Sequence, residues 1–139
     1  MKVLIVEGRY HARVSDALAD GAMRELEKGG AMFERVSVPG ALEVPAAIAL
    51  AARGQRPYDG YVALGSVVRG PGFHFEIIAG ETSHALMLLS AGQGLCVGNG
   101  IIAADDELQA QQLAFQTGGD AARAYLGLIT LRSRFGIYS

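Results

Sequence analysis

Four short apolar runs rich in β-branched residues stand out along the chain: Lys2–Val6, Met32–Val38, Gly60–Leu64 and Leu95–Ile102. Each reads as a strand, and the longer segments between them carry helical periodicity. In the first of these, Val14, Leu18, Met23 and Leu26 share a face while Asp16, Asp20, Glu25 and Lys28 lie mostly elsewhere, and Gly29-Gly30 ends the element. A second helix is expected from about Gly40 to Gly54, with Pro45 in its first turns, where a missing N–H does least harm. A third is expected from Phe75 to Ala91, and two more after the last strand, from Asp105 to Phe115 and from Gly118 to Arg132. Continuous apolar strands alternating with helices predict an α/β fold with a parallel sheet covered on both faces, because right-handed crossovers put helices on each side.

Ligands in such folds bind outside the carboxyl ends of the strands. The loops that matter are therefore Glu7–His11, Pro39–Glu43, Ser66–His74 and Gly98–Asp106. The first sets Tyr10 and a histidine just past a strand; Tyr10 can stack on a planar ligand or pack against a neighbouring helix. In the second, Gly40 and Ala41 let a ligand approach the main chain at a helix start, and Glu43 either favours the helix dipole or accepts hydrogen bonds from ligand hydroxyls. The third, Arg69-Gly-Pro-Gly-Phe-His, ends on His74, whose ring suits proton transfer, although a single histidine at a helix start is often structural. Asp105-Asp106-Glu107 reads as solvated charge at a helix N-terminus, since no Cys/His partners or oxygen-rich loop accompany it; no metal site is expected. Gly98-Asn-Gly reads as a turn signal, and no phosphate loop, GxGxxG after the first strand or GxSxG elbow is present.

Composition narrows the classes further. A chain of 139 residues at 50% hydrophobic content fits one domain, 1–139, with a real core and no internal boundary. With 12 basic against 14 acidic residues there is no electrostatic footprint for nucleic acid. Cys96 has no second cysteine to pair with, and the opening apolar run meets Glu7 and Arg9 too soon for a signal peptide, which predicts a reduced, cytoplasmic setting. No window approaches the roughly 18 uninterrupted apolar residues that cross a bilayer, so no membrane partner is expected.

Taken together, "VEGRYHARVSDAL", "VPGALEVPAAIALAA", "YDGYVALGSVVRG" followed by "HFEIIAGE", "GLCVGNGII" and "GGDAARAYLGLI" resemble the 6,7-dimethyl-8-ribityllumazine synthase family in order and spacing over nearly the whole chain. The resemblance implies a flavodoxin-like three-layer α/β/α sandwich with a four-stranded parallel sheet. It also implies a homopentamer, in some members a decamer or a sixty-subunit shell, with active sites between neighbouring subunits and riboflavin synthase as a partner. The implied reaction of riboflavin biosynthesis joins 5-amino-6-(D-ribitylamino)uracil to 3,4-dihydroxy-2-butanone 4-phosphate through an imine, loss of phosphate, ring closure and loss of water, with no cofactor or metal. By position, Tyr10 matches the ring stacked on the pyrimidine. Gly40, Ala41 and Glu43 match the turn that holds the ribityl chain, and Val67 and Val68 match the main-chain contacts to the heterocycle. Gly70 and Gly72 fall in the loop facing the second substrate, and Asn99 where a neighbouring subunit lines the pocket. His74 matches the proton-transfer histidine, with Glu76 following where an acid can orient it.

The departures from the family pattern cluster on the phosphate. Family members commonly carry Arg-Gly-x-Thr-x-His in the third loop, where this chain has Gly72 at the threonine position, and Pro71 offers no N–H. The usual arginine and lysine after the last strand read Leu113 and Thr117, and the usual Thr-Thr reads Ala103-Ala104. Losing a charged phosphate partner typically costs about 2–5 kcal/mol. The expectation is a synthase that keeps the pyrimidine half of its pocket and has a degenerate phosphate half. The alternatives are a paralogue with weak or altered activity and a non-catalytic flavin- or lumazine-binding oligomer.

Overall fold

The computed structural model describes residues 1–55, 58–71 and 74–137. Strands β1 (Lys2–Gly8), β2 (Met32–Val38), β3 (Gly60–Val68) and β4 (Val97–Ala104) form one sheet in the order β2-β1-β3-β4, with every pairing parallel. Helices α1 (Ala12–Lys28) and α4 (Glu107–Arg134) cover one face; α2 (Val44–Arg53) and α3 (His74–Met87) cover the other. The alternation of β3 feeds both cores. Val62 and Leu64 pack under α1 and α4 with Leu18, Ala22 and Ala114, while Tyr61 and Ala63 pack with Ile48 and Leu86 of α2 and α3. This is the parallel sheet covered on both faces that the apolar pattern predicts, and the flavodoxin-like three-layer sandwich that the family resemblance implies.

Several elements differ in extent from their apolar patterns. β3 continues through Val68, so Ser66, Val67 and Val68 sit on the strand end instead of in a loop. β4 begins at Val97, two residues after the expected start, and reaches Ala104. The second helix opens as a 3-10 turn over Ala41–Glu43 before becoming α2, and the third ends in a wider π turn over Leu88–Gly92. The clearest departure is at the C-terminus, where the two expected helices are one α4 of 28 residues. Gly118 does not break it. A Cβ there would lie 2.0 Å from the Leu18 carbonyl oxygen, so the residue is small because α1 crosses at backbone contact. Gly98, read above as a turn, has a similar cause: inside β4, its Cβ would lie 2.0 Å from the Ala121 carbonyl oxygen of α4. In both places the glycine answers to packing, and the helix tolerates a cost of about 1 kcal/mol in propensity.

α1 and α4 run side by side in the same direction, from the His11–Glu107 contact at their starts to the Arg123–Glu25 ion pair further along. Their N-termini therefore meet at the carboxyl end of the sheet. At the other end Asp59 accepts hydrogen bonds from the Lys2 N–H (2.8 Å) and the Arg132 guanidinium (3.1 Å), which hold its carboxyl below the ordinary range. Among the described residues, no helix is long and apolar enough to cross a membrane.

Two glycines of α4 carry opposite expectations. Gly118→Ala should destabilise by about 3 kcal/mol and lower the Tm by about 10 °C, because backbone must move. Gly127→Ala, with nothing within 4 Å of the added Cβ, should stabilise by up to about 1 kcal/mol. Thermal unfolding of both variants checks this; equal shifts would mean that helix propensity alone governs α4.

Candidate functional site

The order β2-β1-β3-β4 places the switch in winding direction between β1 and β3, and there the chain leaving adjacent strands parts to opposite faces of the sheet. A cleft of about 420 Å³ opens at this point. Its lining comes from the loop after β1 (Tyr10, His11), the turn after β2 (Pro39–Glu43), the end of β3 (Ser66–Val68) and the start of α3 (His74, Ile78). The size is that of a small-molecule pocket.

The first loop is held from below by charge. Glu7 is 2% exposed at the end of β1 and accepts two hydrogen bonds from the Arg35 guanidinium, at 2.6 and 3.0 Å, and one from Arg9 at 3.0 Å. Arg9 also reaches Asp16 of α1, and its N–H donates to the Val38 carbonyl at 3.0 Å. A buried carboxylate with this many donors ties β1, β2 and α1 together directly under the residue that follows. That residue, Tyr10, is 78% exposed, so its ring lies open instead of packing under a helix. It meets the His11 ring edge-to-face at 4.8 Å, and the His11 Nδ1 lies 3.2 Å from a Glu107 carboxylate oxygen at the start of α4.

In the turn after β2, one Glu43 carboxylate oxygen accepts the Gly40 N–H at 2.9 Å, which closes the turn and caps the helix start. Its other oxygen makes no bond among the described residues. Ala41 is buried beneath, against the end of β3. His74 opens α3 on the exposed side of the cleft, and its imidazole makes no hydrogen bond or ion pair among the described residues. Glu76 does not orient it as expected. Its carboxylate lies 2.7 Å from Arg69, whose guanidinium holds it below the ordinary carboxylate range, and Arg69 also reaches Asp105 at 3.2 Å and stacks over Phe75 at 4.3 Å. Asp106 caps α4 by accepting the Gln109 N–H at 2.8 Å. Among the described residues no group of three or more His, Cys, Asp and Glu side chains could hold a metal ion.

Of the residues expected at a site, Tyr10, Gly40, Ala41, Glu43, Val67, Val68 and His74 converge on the cleft. Gly70 and Asn99 are not among its lining; Asn99 sits exposed on β4, its side-chain oxygen accepting the Ile101 N–H at 3.0 Å. Gly72 lies outside the described residues. His11, Ser66 and Ile78 line the cleft without having been singled out. Their only signal was position: one residue past Tyr10, one before Val67, and one turn into α3.

Known proteins match this arrangement along nearly its full length. The family model described as 6,7-dimethyl-8-ribityllumazine synthase matches residues 1–133. The chain belongs to the 6,7-dimethyl-8-ribityllumazine synthase family. It is 49% identical to the protein of that name from Bartonella tribocorum, over 96% of this chain and 91% of the relative. It is 48% identical to the one from Sphingopyxis alaskensis, over 97% of each, and 46% identical to 6,7-dimethyl-8-ribityllumazine synthase 1 of Rhizobium meliloti, over 96% and 93%. Leu113 and Thr117, expected from the sequence to fall at the family's arginine and lysine positions, lie on α4, the first 45% exposed and the second half-buried. Arg123 pairs with Glu25 and Asp120, and Arg132 with Asp59, all toward the far end of the α1–α4 pair from the cleft.

The Glu7 network makes an asymmetric prediction. Arg35→Met strips a bidentate partner from a carboxylate that cannot reach water and should cost about 2–3 kcal/mol. Glu7→Gln should cost about 1 kcal/mol, because the Arg35 side chain is 42% exposed and can turn to solvent. Denaturant unfolding of the two variants measures the difference; a costlier Glu7→Gln would assign the stability to the arginines.

Proposed function

We propose that this cleft condenses 5-amino-6-(D-ribitylamino)uracil with 3,4-dihydroxy-2-butanone 4-phosphate on the residues that its sequence pattern assigns. The chain is a lumazine synthase-type enzyme of riboflavin biosynthesis and acts on small-molecule substrates. The observation that carries the residue assignment is the convergence of Tyr10, Gly40–Glu43, Val67–Val68 and His74 from separate segments on one cleft of about 420 Å³.

In this reading the open Tyr10 ring stacks on the pyrimidine. The free oxygen of Glu43 accepts ribityl hydroxyls, while the bonded one keeps the turn closed. The ends of β3 at Val67 and Val68 line the heterocycle. The amine of the uracil attacks the ketone carbonyl, water leaves to give an imine, phosphate is eliminated, and the ribitylamino nitrogen closes the ring with loss of a second water. Protons move at nitrogen, carbon and departing oxygen, and His74, an imidazole at the cleft that is unpaired among the described residues, carries them in this reading. The chemistry changes no oxidation state overall and calls for neither cofactor nor metal.

The same reading takes residues 1–139 as a single lumazine synthase-like domain, cytoplasmic, assembled as a pentamer or as a decamer or 60-mer built from it, with riboflavin synthase as a partner. Leu42, Ile77, Met87 and Leu88 are each 48–57% exposed on the α2–α3 side, an apolar surface that a second copy would cover. Gly70, Gly72 and Asn99 belong to this assembled site, Asn99 reaching a neighbour's cleft. A second reading is favoured by one observation: among the described residues lining the cleft, only His11 and His74 can carry positive charge. It is that the phosphate is held weakly and activity is reduced.

Mixing the protein with both substrates should give lumazine fluorescence faster than the spontaneous reaction; a rate equal to the blank removes the synthase reading. His74→Ala should slow turnover by about 10- to 1000-fold, and an unchanged rate would remove His74 from the chemistry. Inorganic phosphate should compete poorly, and micromolar inhibition would mean that a cation from a neighbouring subunit serves the site.

A further inference from the structure

His74 opens α3 in a stretch that the core does not hold. The buried residues of α3 are Thr82 and Leu86, and the first of them lies more than two turns past His74. Between residues 74 and 81 no side chain is buried; Phe75, Ile78 and Ala79 are half-buried and the others are exposed. The first turn of a helix also lacks intrahelical partners for its N–H groups, so it is a part that frays. An imidazole placed there keeps its direction only if something else pins the turn.

Arg69 supplies that pin. Its N–H donates to the Ala104 carbonyl at 2.9 Å, just past the last paired residues of β3 and β4, Val68 and Ala104, so its backbone is fixed to the sheet. Its guanidinium forks. Nη1 donates to Glu76 Oε1 at 2.7 Å and Nε to Asp105 Oδ1 at 3.2 Å, while the group lies over the Phe75 ring, 4.3 Å from its centroid. Phe75 and Glu76 are the two residues that follow His74. Asp105 is itself held, its N–H donating to Gln109 Oε1 at 2.7 Å in the first turn of α4. Among the described residues, Arg69 makes the only ion pair that reaches residues 74–81. All three charged side chains are exposed, so the pairs add little to global stability. What they fix is geometry, because one planar group grips two carboxylates and a ring from a single position.

We propose that Arg69 is a positioning residue for His74: by gripping Phe75 and Glu76 from the end of β3 and from Asp105, it fixes the first turn of α3 and with it the imidazole beside the cleft. The inference rests on the proton-transfer role of His74 given above. Arg69 acts on the chemical step and not on binding of the first substrate, since Tyr10 and Glu43 stand on other segments of the cleft.

Steady-state lumazine formation by the full protein tests this with Arg69→Met, Arg69→Lys, and Arg69→Met combined with His74→Ala. Arg69→Met should lower kcat about 10-fold while the KM for the ribitylaminouracil stays within about 2-fold and the Tm within about 3 °C. Arg69→Lys, whose single ammonium cannot fork between both carboxylates, should recover only part of the loss. In the His74→Ala background, Arg69→Met should slow turnover no further. A second loss of equal size there means that Arg69 acts independently of His74 and overturns the proposal. So does a change confined to the KM for the butanone phosphate, which would make Arg69 a phosphate ligand. Hydrogen exchange at the amides of residues 78–81 reads the same turn without turnover: Arg69→Met should speed it about 5-fold, and unchanged exchange overturns the proposal. Failure of the unmodified protein to form lumazine removes the synthase reading separately, because the exchange measurement uses no substrate.

Discussion

The pairing of β1 with β3 is the constraint on which the site depends. These strands are neighbours in the sheet, yet the chain leaving β1 enters α1 on one face and the chain leaving β3 enters α3 on the other. Helices that pack on opposite faces cannot both close over the strand ends between them, so the sheet opens there. The cleft draws its lining from both sides of that gap. Its polar character differs accordingly: the α1–α4 side offers His11, and the α2–α3 side offers the Gly40–Glu43 turn and His74.

Charge is arranged to hold this opening rigid. The buried Glu7 carboxylate gathers Arg35 and Arg9 beneath the first loop, so the exposed Tyr10 ring stands on a fixed base. Arg69 bridges Glu76 of α3 and Asp105 before α4, a clasp across the other rim. Arg9, Arg35 and Arg69 are thus committed to carboxylates. Among the described residues that line the cleft, the side chains that can carry positive charge are then the imidazoles of His11 and His74.

The close approach of α1 and α4 also reaches the site. Backbone contact at Gly118 lets the two helices run side by side, and their N-termini converge where His11 meets Glu107. A residue chosen for size in the middle of α4 is therefore part of the packing that brings the start of α1 against the start of α4. Conventional breaker logic reads Gly118 as a helix boundary, because propensity alone disfavours glycine by about 1 kcal/mol and cannot register an opposing backbone.

What the sequence determined by itself were the features written in local pattern: the alternation of strands and helices, hence a parallel three-layer fold, and the loops at the strand ends that carry Tyr10, Glu43 and His74. Hydrophobic period and turn residues encode these within a few positions. The tertiary structure decided what depends on contacts between distant segments. It made α4 continuous, turned Glu76 from His74 to Arg69, left Asn99 outside the cleft, and brought the start of α1 against the start of α4. The reason is physical: a side chain's partner is set by sheet register and helix approach, which join residues as far apart as His11 and Glu107, and no local period records that distance.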